Sequence, residues 1–381
     1  MSELRYLIVS DLHIGSHDDY NESTRLTVDT PEMPANENPF EALKVFIEEK
    51  DLSFDAVINL GDVSNKGFIP GWIMGNKMLR ELSSICDCPL LSTPGNHDYC
   101  FDFVDGAKSL LQRTNDFPTD DKEHNTVFWG NGYCLYEAGG TQFLILNSES
   151  HLSKIEDLKV TPNFDTLFNS GLDRYLKENT FEGPRIAILH HHVIPHSDLQ
   201  GRYSSNDIID HADKLLNILN DNNFICVLHG HKHLSRFTMH NNLGIMACGS
   251  LSSRENIATC DEDNNFHILT LKCTEEGIRG KIETFHFVLQ KGWFPIEDSN
   301  SRVKARYGFG RNLDINEIAK AIISLINPDA PVIRLFGKKV TEIIPDITFI
   351  SNDEMQKLKE VIEKQGFTVV QEKTNGLLIF K

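Results

Sequence analysis

Short apolar runs rich in Val, Ile and Leu recur along the chain: YLIVS (6–10), AVINL (56–60), PLLST (89–93), FLILN (143–147), IAIL (186–189), FICVL (224–228), GIMAC (244–248) and FHILTL (266–271). Runs of this length and composition predict strands. Between several of them the apolar residues fall at helical spacing. Asn38-Pro39 reads as the cap and first turn of a helix carrying Phe40, Leu43, Phe46 and Ile47, and Ile208, Ile209, Ala212, Leu215, Leu216 and Leu219 form a second apolar stripe. Strand and helix alternate through the first part of the chain, which then ends in strands alone. That order predicts stacked mixed sheets flanked by helices, an α/β architecture.

The text changes around 296–311, EDSNSRVKARYGFGRN, which is polar, aperiodic and holds two glycines. It reads as a linker or exposed loop between a main domain, 1–295, and a small C-terminal α/β unit, 312–381. In that unit Asp314 caps a helix with Ile315, Ile318, Ile322 and Ile326 that stops at Asn327-Pro328. VIRLF follows as a strand, then a helix with Met355, Leu358 and Ile362 closed by Gly366, then FTVVQ and LLIF joined across Thr374-Asn375-Gly376. So short a unit is expected to lean on the main body, a protein partner or a second copy.

Composition narrows the class. The chain has 381 residues, 40% hydrophobic and 24% charged, the balance of a soluble globular protein, and no apolar run approaches the roughly 20 residues that span a bilayer. The start, MSELRYLIVSD, lacks the cationic and apolar regions of an export signal. The eight cysteines form no CxxC pair or regular framework, which fits a reducing cytoplasm. A net charge of −18 disfavours loose gripping of nucleic acid.

The candidate chemistry lies at the ends of the predicted strands. YLIVS runs into Asp11-Leu12-His13, AVINL into Gly61-Asp62, PLLST into Gly95-Asn96-His97-Asp98, IAIL into His190, and FICVL into His229-Gly230-His231-Lys232-His233. Strand ends are where loops bring distant residues together over a rigid floor. Residues i and i+2 of an extended segment share a face, so Asp11 with His13 and His231 with His233 read as two-pronged chelates on ordinary extended backbone. Carboxylate, imidazole and amide donors together suit Mn, Fe, Co, Ni or Zn. The Asp62 carboxylate can bridge two such ions, and two ions roughly 3.5–4 Å apart hold one hydroxide and clamp both oxygens of an in-line displacement.

DxH, GDxxxxG, GNHD, a strand-end His and GHxH, in that order, resemble the calcineurin-like metallophosphoesterase superfamily over residues 1 to about 290. The resemblance implies a four-layer sandwich of two mixed β-sheets flanked by helices. It also implies that Asp11, His13 and His233 hold one metal and Asn96, His190 and His231 the other, with Asp62 bridging and His97 facing substrate. A shift of one residue would promote His191 in place of His190. His97 would hydrogen-bond a phosphoryl oxygen or protonate the leaving alkoxide, with Asp98 beside it as a group that can raise its pKa. His229, His192, His196 and His151 read as packed or exposed histidines outside the cluster.

The implied activity is that of a phosphoric ester hydrolase, with a metal-bridging hydroxide attacking phosphorus and Mn as the first choice among the metals. GDVSNKG has Asn65-Lys66 where the protein phosphatase pattern has Asp-Arg, and GNHD replaces GNHE. The motifs look more like the cyclic-nucleotide and glycerophosphodiester phosphodiesterase branch, so a phosphodiester of a nucleotide or related small molecule is the expected substrate. The alternative is a DNA or RNA nuclease of the double-strand-break repair type, with Arg302, Lys304, Arg306 and Arg311 and the interleaved Tyr307 and Phe309 tracking a strand. A third reading is a non-catalytic scaffold on the same fold. Against it, none of the seven ligand side chains is missing.

Overall fold

The computed structural model of the chain describes residues 3–20, 23–29, 33–103, 105–196, 204, 207–254, 263–296, 303–327, 331–371 and 377–381. It divides into two compact units, the larger made of Leu4–Ile268 with Phe285–Phe294 and the smaller built mainly on Leu269–Thr284 and Pro295–Lys381.

The strands run in chain order as β1 (Glu3–Val9), β2 (Ala56–Asn59), β3 (Leu90–Ser92), β4 (Tyr133–Ala138), β5 (Thr141–Leu146), β6 (Arg185–Ile188), β7 (Cys226–His229) and β8 (Arg236–His240). They continue as β9 (Leu243–Ala247), β10 (Asn265–Thr274), β11 (Gly277–Val288), β12 (Gly292–Pro295), β13 (Arg306–Gly310), β14 (Val332–Arg334), β15 (Thr368–Gln371) and β16 (Leu377–Phe380). One sheet has the order β12-β11-β10-β1-β2-β3, and a second has the order β4-β5-β6-β7-β9-β8. In the first, β1, β2 and β3 are parallel neighbours. In the second, β5, β6, β7 and β9 are parallel, with antiparallel β4 and β8 at the edges.

Alternation along β1 shows how these sheets stack. Leu7 and Val9 join a core with Phe40, Leu43, Trp72 and Leu79 of the helices Pro39–Glu49 and Ile69–Ile85. Tyr6, one residue before Leu7, turns to the other sheet, its ring 5.1 Å from Phe143 and its hydroxyl 2.6 Å from Thr141 Oγ1. On the far side Leu144 and Leu146 of β5 pack with Leu215, Leu216 and Leu219 of the helix Ala212–Asp221. The result is the expected four-layer sandwich of two mixed sheets between helices. Asn38 caps the first helix by accepting from Phe40 N–H and Glu41 N–H, with Pro39 in the first turn. Among the described residues no helix is long and apolar enough to cross a membrane.

The smaller unit holds a three-stranded sheet, order β14-β16-β15, with the helices Ile315–Ser324 and Asn352–Lys364 closing a core of Ile318, Ile322, Ile333, Leu358, Ile362 and Ile379. Asp314 caps the first helix and a Ser351/Glu354 capping box opens the second. The expected turn at Thr374-Asn375-Gly376 lies outside the described residues. The segment read as a linker needs correction. Residues 297–302 lie outside the described residues, but 306–310 form β13, paired antiparallel with Arg279–Glu283 of β11. The two glycines and flanking charges hid the strand, whose Tyr307 and Phe309 are buried.

Burial of Phe309 makes β13 part of a packed unit, so Phe309→Ala is expected to destabilise by about 3–5 kcal/mol. A urea unfolding curve checks it, and an unchanged midpoint would return the segment to an unpacked connector.

Candidate metal centre

The parallel strands β1, β2 and β3 of one sheet and β6 and β7 of the other end in the loops that carry Asp11 and His13, Asp62, Asn96, His190, and His231 and His233. Backbone pairing fixes these loops against each other. Asp11 N–H donates to Gly61 O at 3.0 Å and His13 N–H to Asp62 O at 2.9 Å, while Gly230 N–H donates to His190 O at 3.0 Å.

The side chains assemble into two donor groups that share one residue. Asp11, His13, Asp62 and His233 form the first, and Asp62, His190 and His231 the second, each with ligand atoms within 4.8 Å of one another. Asp62 Oδ1 accepts the His97 N–H at 2.8 Å, which leaves Oδ2 to be shared. That oxygen lies 3.5 Å from His13 Nε2 and 3.2 Å from His190 Nε2. Asp11 Oδ1 lies 3.3 Å from His233 Nε2, and Asn96 Oδ1 sits 3.2 Å from His190 Nε2 and 3.1 Å from His231 Nδ1. The other nitrogen of His190, Nδ1, donates to Leu60 O at 2.7 Å, so Nε2 is the atom presented to a metal. This mixed, convergent set fits a dinuclear divalent metal site.

The backbone departs from the extended chelates expected from spacing alone. Asp11, His13, Asp62, His231 and His233 have φ of 53°, 46°, 52°, 81° and 58°, all left-handed. Side chains two residues apart meet here because the chain coils tightly after each strand, in a region that Asp and His tolerate better than most residues. Two glycines make room. A Cβ on Gly95 would stand 2.2 Å from Asp62 Oδ1, and one on Gly230 would stand 2.5 Å from Asp11 Oδ2.

His97 is half-buried and meets the His13 ring edge-on at 4.7 Å. Its Nδ1 accepts the Lys66 N–H at 3.2 Å, which puts the ring proton on Nε2. Asp98 is buried, and its carboxylate accepts from Ser64 N–H at 2.8 Å and Gly95 N–H at 2.9 Å, so it fixes the turn that carries Asn96 and His97. His191 pairs its Nδ1 with Glu149 Oε1 at 2.5 Å and lies against the His231 ring, with centroids 4.2 Å apart. Two carboxylates escaped sequence reasoning. Asp207 Oδ1 holds His231 Nε2 at 3.0 Å, the carboxylate–histidine pairing that orients a ligand ring, and Glu149 braces His191. Asp207 sits in no motif and at no strand end, whereas Glu149 follows β5 by three residues, as Asp62 follows β2, a strand-end signal that the motifs did not include.

Burial would raise the Asp11 carboxyl, but the His13 and His233 hydrogen bonds and the His233 charge hold it well below the usual carboxylate range. Burial would raise Asp62 too, but the charges of His190 and His97 draw it below the usual carboxylate range. Burial alone would lower His190, yet the Asp62 charge pushes it up to about 10. Without metal, a proton on His190 thus balances the carboxylates, and a cation placed there displaces it.

A mixed α/β sandwich with two donor groups on one carboxylate is the architecture of a metallophosphoesterase. The chain belongs to the calcineurin-like phosphoesterase family, whose model matches residues 4–235. No curated protein matches the sequence. Among solved structures, the chain is similar to GAP50, the anchor in the inner membrane complex of Plasmodium (13% identity, 82% of this chain and 90% of that one, TM-score 0.45). It is also similar to a 5′-nucleotidase from Staphylococcus aureus (14%, 72% and 52%, TM-score 0.42) and to Vacuolar Protein Sorting 29 from Cryptosporidium parvum (12%, 82% and 100%, TM-score 0.36).

Because both groups depend on Asp62, Asp62→Asn is expected to lower bound metal by two equivalents relative to wild type, and His190→Gln by one. Elemental analysis after reconstitution and desalting checks this. Equal losses in the two variants would contradict the shared-carboxylate arrangement.

Proposed function

We propose that the protein hydrolyses a phosphodiester of a nucleotide or related small molecule, with two dications, Mn²⁺ foremost, as cofactor. The observation that carries this reading is the single oxygen, Asp62 Oδ2, common to both donor groups. Bound dications supply Lewis acidity, an acidified water and charge neutralisation at phosphorus. The chain's residues do the rest. Asp62, Asp11 and Asn96 set the positions, Leu60 O and Asp207 orient the His190 and His231 rings, and His97 faces the substrate. Its Nε2–H is placed to donate to a phosphoryl oxygen. To protonate a leaving alkoxide, the ring would first have to give up the Lys66 N–H and gain a second proton.

Asn65-Lys66 in place of Asp-Arg supports a small diester over a phosphoprotein. The net charge of −18 favours a monoanionic diester over a dianionic monoester. Against the nuclease alternative, Tyr307 and Phe309 are buried and Arg306 and Arg311 pair with Glu283 and Glu276, while Arg302 lies outside the described residues. A complete donor set supports catalysis over a scaffold role. Free cysteines among the described residues support a cytoplasmic setting.

With Mn²⁺, bis(p-nitrophenyl) phosphate is expected to be cleaved faster than p-nitrophenyl phosphate, and Asp62→Asn to lose on the order of 10³-fold in kcat. Stoichiometric metal with no turnover of either ester would overturn the hydrolase reading. A separate expectation concerns His97. His97→Ala should lose roughly 10²-fold on the aryl diester and on a cyclic nucleotide alike, as for a lost hydrogen-bond donor. A far larger loss on the cyclic nucleotide, whose leaving group is an alkoxide, would make His97 the acid.

A further inference from the structure

Beside the dinuclear centre lies a second gathering of imidazoles that the phosphoesterase chemistry does not use. His192 and His196 sit in the segment after β6, and His229 is the last residue of β7, the parallel neighbour of β6. All three are buried, at 0%, 4% and 0% exposure. The rings of His192 and His229 are 4.2 Å apart, those of His192 and His196 5.8 Å, and those of His196 and His229 6.4 Å. One nitrogen from each lies within 4.8 Å of the other two.

Packing alone does not account for them. Among the described residues, His229 Nε2 is a buried polar atom with no hydrogen-bond partner, while its Nδ1 faces Gly230 O at 3.4 Å. Leaving such an atom unsatisfied carries a desolvation cost that an apolar residue of similar size would avoid. His196 turns Nδ1 to Thr238 Oγ1 at 3.3 Å, which leaves Nε2 as the atom it can present to a ligand. No carboxylate belongs to the group. Three imidazole nitrogens suit borderline dications such as Zn²⁺, Co²⁺ or Ni²⁺ and are poor ligands for Mg²⁺ or Ca²⁺.

We propose that His192, His196 and His229 form a third, mononuclear metal site that takes a borderline dication, Zn²⁺ foremost, and cross-links the segment after β6 to the end of β7. An ion there pins two stretches that also carry dinuclear-centre ligands, since His192 is two residues from His190 and His229 two from His231. Its role is structural, and the fourth position is left to water.

The test uses Co²⁺, whose visible d–d absorption reports four-coordinate nitrogen ligation, on the full chain carrying Asp11→Asn and Asp62→Asn to empty the dinuclear centre. One equivalent of Co²⁺ is expected to bind with those bands, and adding His196→Ala is expected to abolish them. A folded double variant that binds no Co²⁺, or one whose bands survive His196→Ala, overturns the proposal. Should that background fail to fold, Zn²⁺ content decides between three equivalents in wild type with two in His196→Ala, as proposed, and equal content in both, which overturns it.

Discussion

The larger unit is organised around one buried carboxylate. Asp62 cannot be left charged in a dry interior without a partner, and it is placed where two loops from one sheet and two from the other can each offer it an imidazole or an N–H. Its Oδ1 is taken by the His97 N–H, so the remaining oxygen faces His13 on one side and His190 on the other. This division of one carboxylate requires β1, β2 and β3 to end level with β6 and β7. The stacking of the two sheets, seen in the Tyr6–Phe143 contact, is what brings those ends together.

The same demand explains the backbone. Left-handed conformation costs an L-residue roughly 1–2 kcal/mol, and five of the donor residues adopt it. Together that approaches the net stability of an ordinary domain, about 5–15 kcal/mol. The arrangement persists because the loops are over-determined by backbone pairing between 11–14 and 61–63 and by close approach at Gly95 and Gly230. Strain concentrated at a site and held by the surrounding hydrogen bonds pre-organises the donors, so a cation meets them already in place.

Much of this was legible in the sequence for a local reason. Each predicted strand is a short run rich in Val, Ile and Leu, and each such run appears as a strand or within one or two residues of it, so the polar residues at their ends could be read as one collection. What stayed hidden depends on contacts far along the chain. Asp207 reaches His231 because the chain returns alongside His192, with His192 N–H donating to Asp207 O at 3.2 Å and Ile209 N–H to His192 O at 3.0 Å. No periodicity records that return. The strand at 306–310 was hidden in the same way, since its glycines and charges look like a loop until β11 pairs with it. Spacing suggested extended chelates because alternation is the default of a strand, and the turn out of the strand overrides that default.

The run of three histidines after β6 shows how finely that turn is specified. His190 points Nε2 at Asp62 and Asn96, His191 gives Nδ1 to Glu149, and His192 lies against His229. The His190 and His191 rings are perpendicular, at 89°. Three consecutive imidazoles thus serve three different surroundings, one with carboxylate and amide oxygens, one with a buried carboxylate and one with two further imidazoles. Oxygen-rich and nitrogen-only pockets rank divalent ions differently, because carboxylate and amide oxygens hold the harder Mn²⁺ while imidazoles alone favour Zn²⁺. A single strand end therefore separates metal preferences a few residues apart. Inserting or deleting one residue in this run would exchange those roles, placing a carboxylate-bound ring where the dinuclear centre needs a free Nε2.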